Sequence, residues 1–194
     1  MKTPLRYQIT EFDCGSVSLL NCITYLFDRE EIPAELVKAI STYTLDCYDA
    51  HGNLGQKGTS REAVKYISRW ISDFSNKKDF GIKCKYLAGE EVTIDKIKKC
   101  LKSGGCVNLR TYQTIEHYVM VTGIDDNYVY IWDPYFREIS DYKSNKNISA
   151  TLDFPTKYNR IVKIDHFLSN KKTEFSLGPV NKREVVLFNK VCKK

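Results

Sequence analysis

Apolar positions in the first hundred residues recur at spacings of three and four. Leu19, Leu20, Ile23, Leu26 and Phe27 form one stripe, which predicts a helix from about Cys14 to Phe27. Asp13 stands where an N-cap belongs and leaves Cys14 in the first turn. Pro33 to Ile40 predicts a second helix, with Pro33 near its start. The polar, glycine-bearing stretch 46–58 is long for a compact domain and is therefore a candidate functional loop. Thr59-Ser60-Arg61-Glu62 then reads as a capping box, followed by the stripe Ala63, Val64, Ile67, Ile71 and Phe74. Thr93 caps a shorter helix carrying Ile94, Ile97 and Leu101, and Gly104-Gly105 stops it.

The period changes in the second half. Residues 106–112, 117–124 and 128–132 read as strands, the last two joined by the turn Asp125-Asp126-Asn127. Arg160 to Phe167 and Glu184 to Asn189 predict two more, whereas 141–158 and 169–182 read as polar loops. Helices first and an antiparallel sheet after them imply an α+β layer architecture. The 194 residues fit one domain spanning 1–194, large enough to bury a core unaided.

Composition narrows the classes. Apolar content of 42% and charged content of 28% are ordinary globular values. The seven cysteines (14, 22, 47, 84, 100, 106 and 192) are odd in number and include no Cys-x-x-Cys pair. Free thiols in a reduced, cytoplasmic protein are the expectation, with no zinc site, metal or organic cofactor. The N-terminus has no apolar signal core, and no run approaches the ~18 apolar residues of a membrane span. The net charge of +6 is spread over scattered lysines, with denser spots at Lys77-Lys78, Lys96 to Lys102 and Lys190 to Lys194. A solvated surface accounts for these, and attraction to an acidic macromolecule is the sharper alternative. No nucleic-acid motif accompanies the charge.

Three residues carry candidate chemistry. Cys14 opens the first predicted helix, where the dipole and unpaired backbone N–H groups favour a thiolate; Asp13 beside it opposes this a little. A free thiol titrates near ~8.5 and needs such help to attack a carbonyl at neutral pH. His117 opens one strand and Asp133 follows the next. Because a tight turn joins those strands, His117 and Asp133 fall at the same end of an antiparallel hairpin, within reach of a side-chain hydrogen bond. Asp133 then holds one imidazole tautomer with the other nitrogen facing outward. Gln8, six residues before Cys14, adds a side-chain donor that pairs with the Cys14 N–H as an oxyanion hole.

Each has a plainer reading. A cysteine in a helix is usually a small buried hydrophobe, and Cys22 fits that description. Cys14 differs in preceding the apolar stripe and following a cap residue. Cys106 is a rival nucleophile, but its strand pattern places it in the core. His51 sits in a polar loop, and His166, after Asp165, reads as structural. Asp133-Pro134 could be only a strand-ending turn; its register with His117 raises it above that. Gln8 lies in a segment for which the sequence supplies no geometry.

Gln8, Asp13-Cys14-Gly15, Leu19, Leu109 through His117-Tyr118-Val119, Gly123-Ile124-Asp125, Ile131 and Asp133-Pro134 together resemble the bacteriocin-processing, double-glycine-leader peptidases. Gly58-Thr59-Ser60 is similar to that family's middle motif. The resemblance covers roughly the first 135 residues and implies a papain-like cysteine peptidase fold with Gln, Cys, His and Asp site residues in this order. Val17 stands where the family has a small alanine, Gly105-Cys106-Val107 replaces a proline-containing strand entry, and no transporter helices or ATPase follow. The expectation is a covalent acyl-transfer enzyme, with Cys14 as nucleophile, His117 as base, Asp133 orienting it and Gln8 in the oxyanion hole. Its substrate is a peptide. The alternative is an amide-forming acyltransferase that takes an acyl thioester from an acidic carrier protein, and a third reading is an inactive peptide-binding module.

Overall fold

The structure, a computed structural model, describes residues 1–191, so that Cys192 and the last two lysines of the terminal basic stretch lie outside the described residues. In chain order the elements are α1 (Cys14–Leu26), α2 (Ala34–Tyr43), α3 (Arg61–Lys78), β1 (Ile82–Ala88), α4 (Ile94–Lys102), β2 (Cys106–Tyr112), β3 (Glu116–Ile124) and β4 (Tyr128–Trp132). They continue with β5 (Ile148–Ala150), β6 (Arg160–Lys163), the single turn α5 (Ile164–Phe167) and β7 (Glu184–Lys190). Among the described residues the seven strands form one sheet in the order β1-β7-β2-β3-β4-β6-β5, every pairing antiparallel. The architecture is α+β.

Helices cover both faces of the sheet. Leu19 and Ile23 of α1, Leu36 and Ile40 of α2, and Ile67 and Ile71 of α3 pack with Met120, Trp132, Val186 and Phe188 on one side. Ile97 and Cys100 of α4 and Phe167 of α5 pack with Leu109, Val119, Val121 and Ile131 on the other. This double cover explains why β2 is buried along its whole length instead of alternating between apolar and polar positions.

Several expectations shift. Strand β1 lies between α3 and α4, so the division into helices first and sheet afterwards is not strict; its alternation of Ile82, Cys84 and Tyr86 with Lys83 and Lys85 is that of an edge strand carrying lysines. The short β5 falls inside the stretch read as a polar loop. The strand expected over 160–167 ends at Lys163, and the chain turns into α5. The cap of α3 is Ser60 rather than Thr59: the Ser60 hydroxyl accepts from the Ala63 N–H at 3.1 Å. No helix among the described residues is long and apolar enough to cross a membrane.

The N-terminal segment, without regular structure of its own, is bound down at several points. The Leu5 N–H reaches the Pro155 carbonyl at 2.8 Å, and the Gln8 N–H reaches the Pro134 carbonyl at 2.8 Å. Fully buried Asn21 of α1 accepts from the Arg6 N–H at 2.8 Å and donates to the Arg6 carbonyl at 2.9 Å. That carbonyl also accepts from the Trp132 indole at 3.1 Å. Asn21, itself fully buried, thus ties down both backbone polar groups of Arg6, and losing a buried partner costs more than the bond itself is worth. Asn21→Ala is expected to lower stability by about 2–3 kcal/mol in urea unfolding; a loss below about 0.5 kcal/mol would mean that the clamp is absent in solution.

Candidate active site

Cys14 begins α1, and its side chain is buried at the floor of a cleft of about 260 Å³. The first intrahelical bond runs from the Val17 N–H to the Asp13 carbonyl at 3.0 Å, so the N–H groups of Cys14, Gly15 and Ser16 precede the ladder. Asp13 occupies the cap position but does not cap. Its carboxylate turns back to accept from the N–H groups of Ile9 (3.1 Å) and Thr10 (3.0 Å) and from the Thr10 hydroxyl (2.9 Å). It braces the entering loop and leaves the helix terminus free of a side-chain acceptor. A bare helix N-terminus favours negative charge on the sulfur or on an oxyanion beside it.

Gly15 is dictated by contact. A Cβ there would sit 2.7 Å from the Thr59 side chain and 3.3 Å from the Tyr118 ring. The Gly58-Thr59-Ser60 motif therefore acts by packing: Gly58 turns with φ +79°, Thr59 closes on Gly15, and Ser60 starts α3. The long loop before it returns to this point, since the Thr59 hydroxyl accepts from the Leu45 N–H at 3.1 Å.

β3 and β4 are neighbours with Met120 opposite Trp132, which brings the start of one strand to the end of the other. His117 Nε2 lies 2.7 Å from Asp133 Oδ1, with both side chains buried. Nδ1 is then the nitrogen left for Cys14, and both residues line the same cleft. Burial by itself would lower the proton affinity of His117. The charge and hydrogen bond of Asp133, and then those of Cys14, outweigh it and raise its pKa to about 10.

Asp133 is fully buried and held from several sides. Its Oδ1 also accepts from the Tyr135 N–H at 2.9 Å. Asn159 grips its backbone in both directions, accepting from the Asp133 N–H at 2.7 Å and donating to its carbonyl at 2.8 Å. Arg160, equally buried, brings its guanidinium to 3.4 Å from Oδ2. A second buried acid, Glu184 of β7, lies behind the cleft wall. It accepts from the Tyr118 hydroxyl and pairs with Arg61 Nε at 2.8 Å. No local pattern marks these groups: Asn159 precedes β6, Arg160 and Glu184 open strands far along the chain, and none carries a motif, so a buried Asp133 calling for a cation is the available signal.

The other nominated residues are placed as follows. The Gln8 side-chain N–H donates to the Thr10 carbonyl at 2.6 Å, its Oε1 has no partner, and the residue is not part of the cleft lining. Cys22 and Cys106 are completely buried, and burial pushes both thiols up. His51 is exposed in its loop. His166, on α5 instead of a strand, pairs with the Glu174 carbonyl at 2.6 Å. Among the described residues, no group of three or more His, Cys, Asp or Glu side chains is arranged to hold a metal ion.

The chain matches the model of the "Peptidase_C39 like family" over residues 2–165. No curated protein matches it. Among solved structures, a C39-like protein from Bacillus anthracis is similar with 16% identity and a TM-score of 0.52, covering 97% of this chain and 96% of that one. A double glycine motif protease from an AMS/PCAT transporter, in complex with the leader peptide, is similar with 17% identity and a TM-score of 0.49, covering 97% and 91%. At these identities the likeness concerns the fold. The family match spans the nucleophile candidate, the His117–Asp133 pair and the strand that carries Arg160, and the chain belongs to the C39-like peptidase family.

Proposed function

We propose that the protein is a papain-type cysteine peptidase that cleaves a peptide bond through a Cys14 acyl-enzyme. The observation that carries this reading is the buried 2.7 Å contact of His117 Nε2 with Asp133 Oδ1, beside a cysteine on an uncapped helix terminus. Packing alone has no need of that combination. Family membership agrees with it.

In the resting state Cys14 and His117 form a thiolate–imidazolium pair, with the thiolate favoured by the helix terminus and the imidazolium by Asp133. Cys14 Sγ attacks the substrate carbonyl carbon. The negative charge moves to the carbonyl oxygen, which meets the Cys14 N–H; for Gln8 to act as the second donor its side chain leaves the Thr10 carbonyl and turns into the cleft. His117 gives its proton to the leaving amine, the C–N bond breaks and a thioester remains. His117 then takes a proton from water, whose oxygen attacks the thioester; the C–S bond breaks, the acid is released and the thiolate–imidazolium pair is restored. An amine in place of water would give an amide by the same route, so the acceptor is what separates the peptidase from the acyltransferase reading. The peptidase is favoured by family membership.

Cys14→Ala should abolish cleavage of a peptide library read by mass spectrometry, and labelling by iodoacetamide at pH 6 as well. Persistent turnover would assign the nucleophile elsewhere; amide products formed from an acyl thioester and added amine, with peptides left intact, would favour the transferase. Gln8→Ala should lower kcat about 100-fold, the loss of one oxyanion donor; an unchanged kcat would remove Gln8 from the mechanism. The pH dependence has a definite sign. His117 must be protonated, its folded pKa is raised to about 10, and so kcat/KM should hold through neutral pH and fall as pH rises through that value. Asp133→Asn removes the main group that raises this pKa, so the alkaline limb should move down towards ~6.5 with a large loss of rate. A limb that stays in place would assign the titration to another group.

A further inference from the structure

We propose that Arg160 is the positioning residue of the His117–Asp133 pair: its buried guanidinium holds Asp133 Oδ2 so that Oδ1 faces His117, and it offsets part of the charge that Asp133 presents to the imidazole. The inference rests on the geometry of that pair and deepens the reading of the same site.

The two carboxylate oxygens of Asp133 are in different situations. Oδ1 accepts from His117 and from the Tyr135 N–H, whereas Oδ2 is buried with no hydrogen-bond partner. The one cation facing it among the described residues is Arg160, at 3.4 Å. Rotating the carboxylate would break both bonds to Oδ1, and moving Oδ2 away from Arg160 would leave a buried anionic oxygen unpaired. Both are costly for a carboxylate oxygen that solvent does not reach.

Arg160 is itself anchored. It opens β6 opposite Ile131, two residues before Asp133, and the Asn159 N–H donates to the Ile131 carbonyl at 2.9 Å. Its guanidinium donates to the carbonyls of Asn159 (3.0 Å) and Tyr135 (3.3 Å) and lies 4.8 Å from the centre of the Tyr142 ring. The Tyr142 hydroxyl in turn donates to Glu174 at 3.3 Å. Such a mount fixes the angle of the guanidinium through Nη1 and Nη2, while Nε is buried with no hydrogen-bond partner, and a planar cation held in this way cannot follow a wandering carboxylate.

The charged and titratable groups around the pair are Cys14 on α1, His117 on β3, Tyr135 after β4, Arg160 on β6, and Tyr142 with Glu174 and its partner Arg137 beyond the guanidinium, with Glu11, Arg110 and Glu116 lining the same cleft. Asp133 favours imidazolium; Arg160, behind it, disfavours imidazolium. Taking away a cation several ångströms from the ring should raise the midpoint of His117 by about one pH unit at an effective dielectric near 20.

The test is an NMR titration of the three histidines in the folded protein, on a Cys14→Ser background that removes the thiol whose charge and hydrogen bond add to the rise of the His117 midpoint. Arg160→Gln and Arg160→Met, both neutral, should raise the midpoint by about one unit, and Arg160→Lys, whose shorter reach draws the charge away from Oδ2, by a fraction of that. His51 and His166 serve as internal controls. In the Cys14 enzyme, the same variants should lower kcat more than they change KM. Unmoved His117 midpoints in folded variants would overturn the proposal and leave Arg160 a packing residue. Should both neutral variants fail to fold, the lysine variant decides: an upward shift supports the proposal and no shift overturns it. The readout needs no substrate, so its failure is separable from failure of the peptidase reading.

Discussion

The site depends on how closely the first turn of α1 approaches the start of β3. Ser18 donates to the Tyr118 carbonyl at 2.9 Å across that seam, and Gly15 leaves no space for a side chain against Thr59 and Tyr118. A residue with a Cβ at position 15 would force the helix terminus away from the strand. The sulfur of Cys14 and the imidazole of His117 belong to elements about a hundred residues apart in sequence, and this seam brings them to one cleft. The Gly58-Thr59 turn forms its third side, which gives the middle motif a mechanical role.

Around that seam the protein buries charge where water would ordinarily be needed. Asp133, Glu184 and Arg160 are essentially inaccessible, and each has an opposite charge at hand: Arg160 for Asp133 and Arg61 for Glu184. Breaking such a pair is far more costly than its net worth, because a lone charge remains in a poorly polarisable interior. This locks the cleft walls against rotation and keeps the histidine–aspartate geometry from depending on loop conformation. The price is a site whose protonation is set by distant strands.

The helix terminus follows a related logic. An aspartate that capped α1 in the usual way would place its own anion where the proposed mechanism forms a thiolate and an oxyanion. Asp13 instead braces Ile9 and Thr10, so one side chain shapes the entering loop and leaves the terminal N–H groups unoccupied by side chains. Gln8 is carried by that loop and by its main-chain bond to Pro134. The N-terminal segment is thereby tied to the residue that follows Asp133.

Periodicity alone located α1, α4, β2 and β4 nearly to the residue, because each has an unbroken apolar stripe or run and a clear cap or turn at its ends. The His117–Asp133 contact was legible for the same reason: a short turn joins the two strands and leaves little freedom in which residues meet. β1 and β5 were not, since one alternates with lysines and the other has three residues. Asp13 holds the N-cap position that the sequence predicts, but its side chain makes no cap bond, because the choice between a forward and a backward hydrogen bond turns on the path of residues 9–10. The positions of Asn159, Arg160 and Glu184 depend on β6 pairing with β4 and β7 entering between β1 and β2. Long-range strand order of that kind is selected by the packing of whole layers, and no local pattern encodes it. The chain by itself therefore determined which groups could react, whereas the tertiary structure decided which buried charges stand behind them.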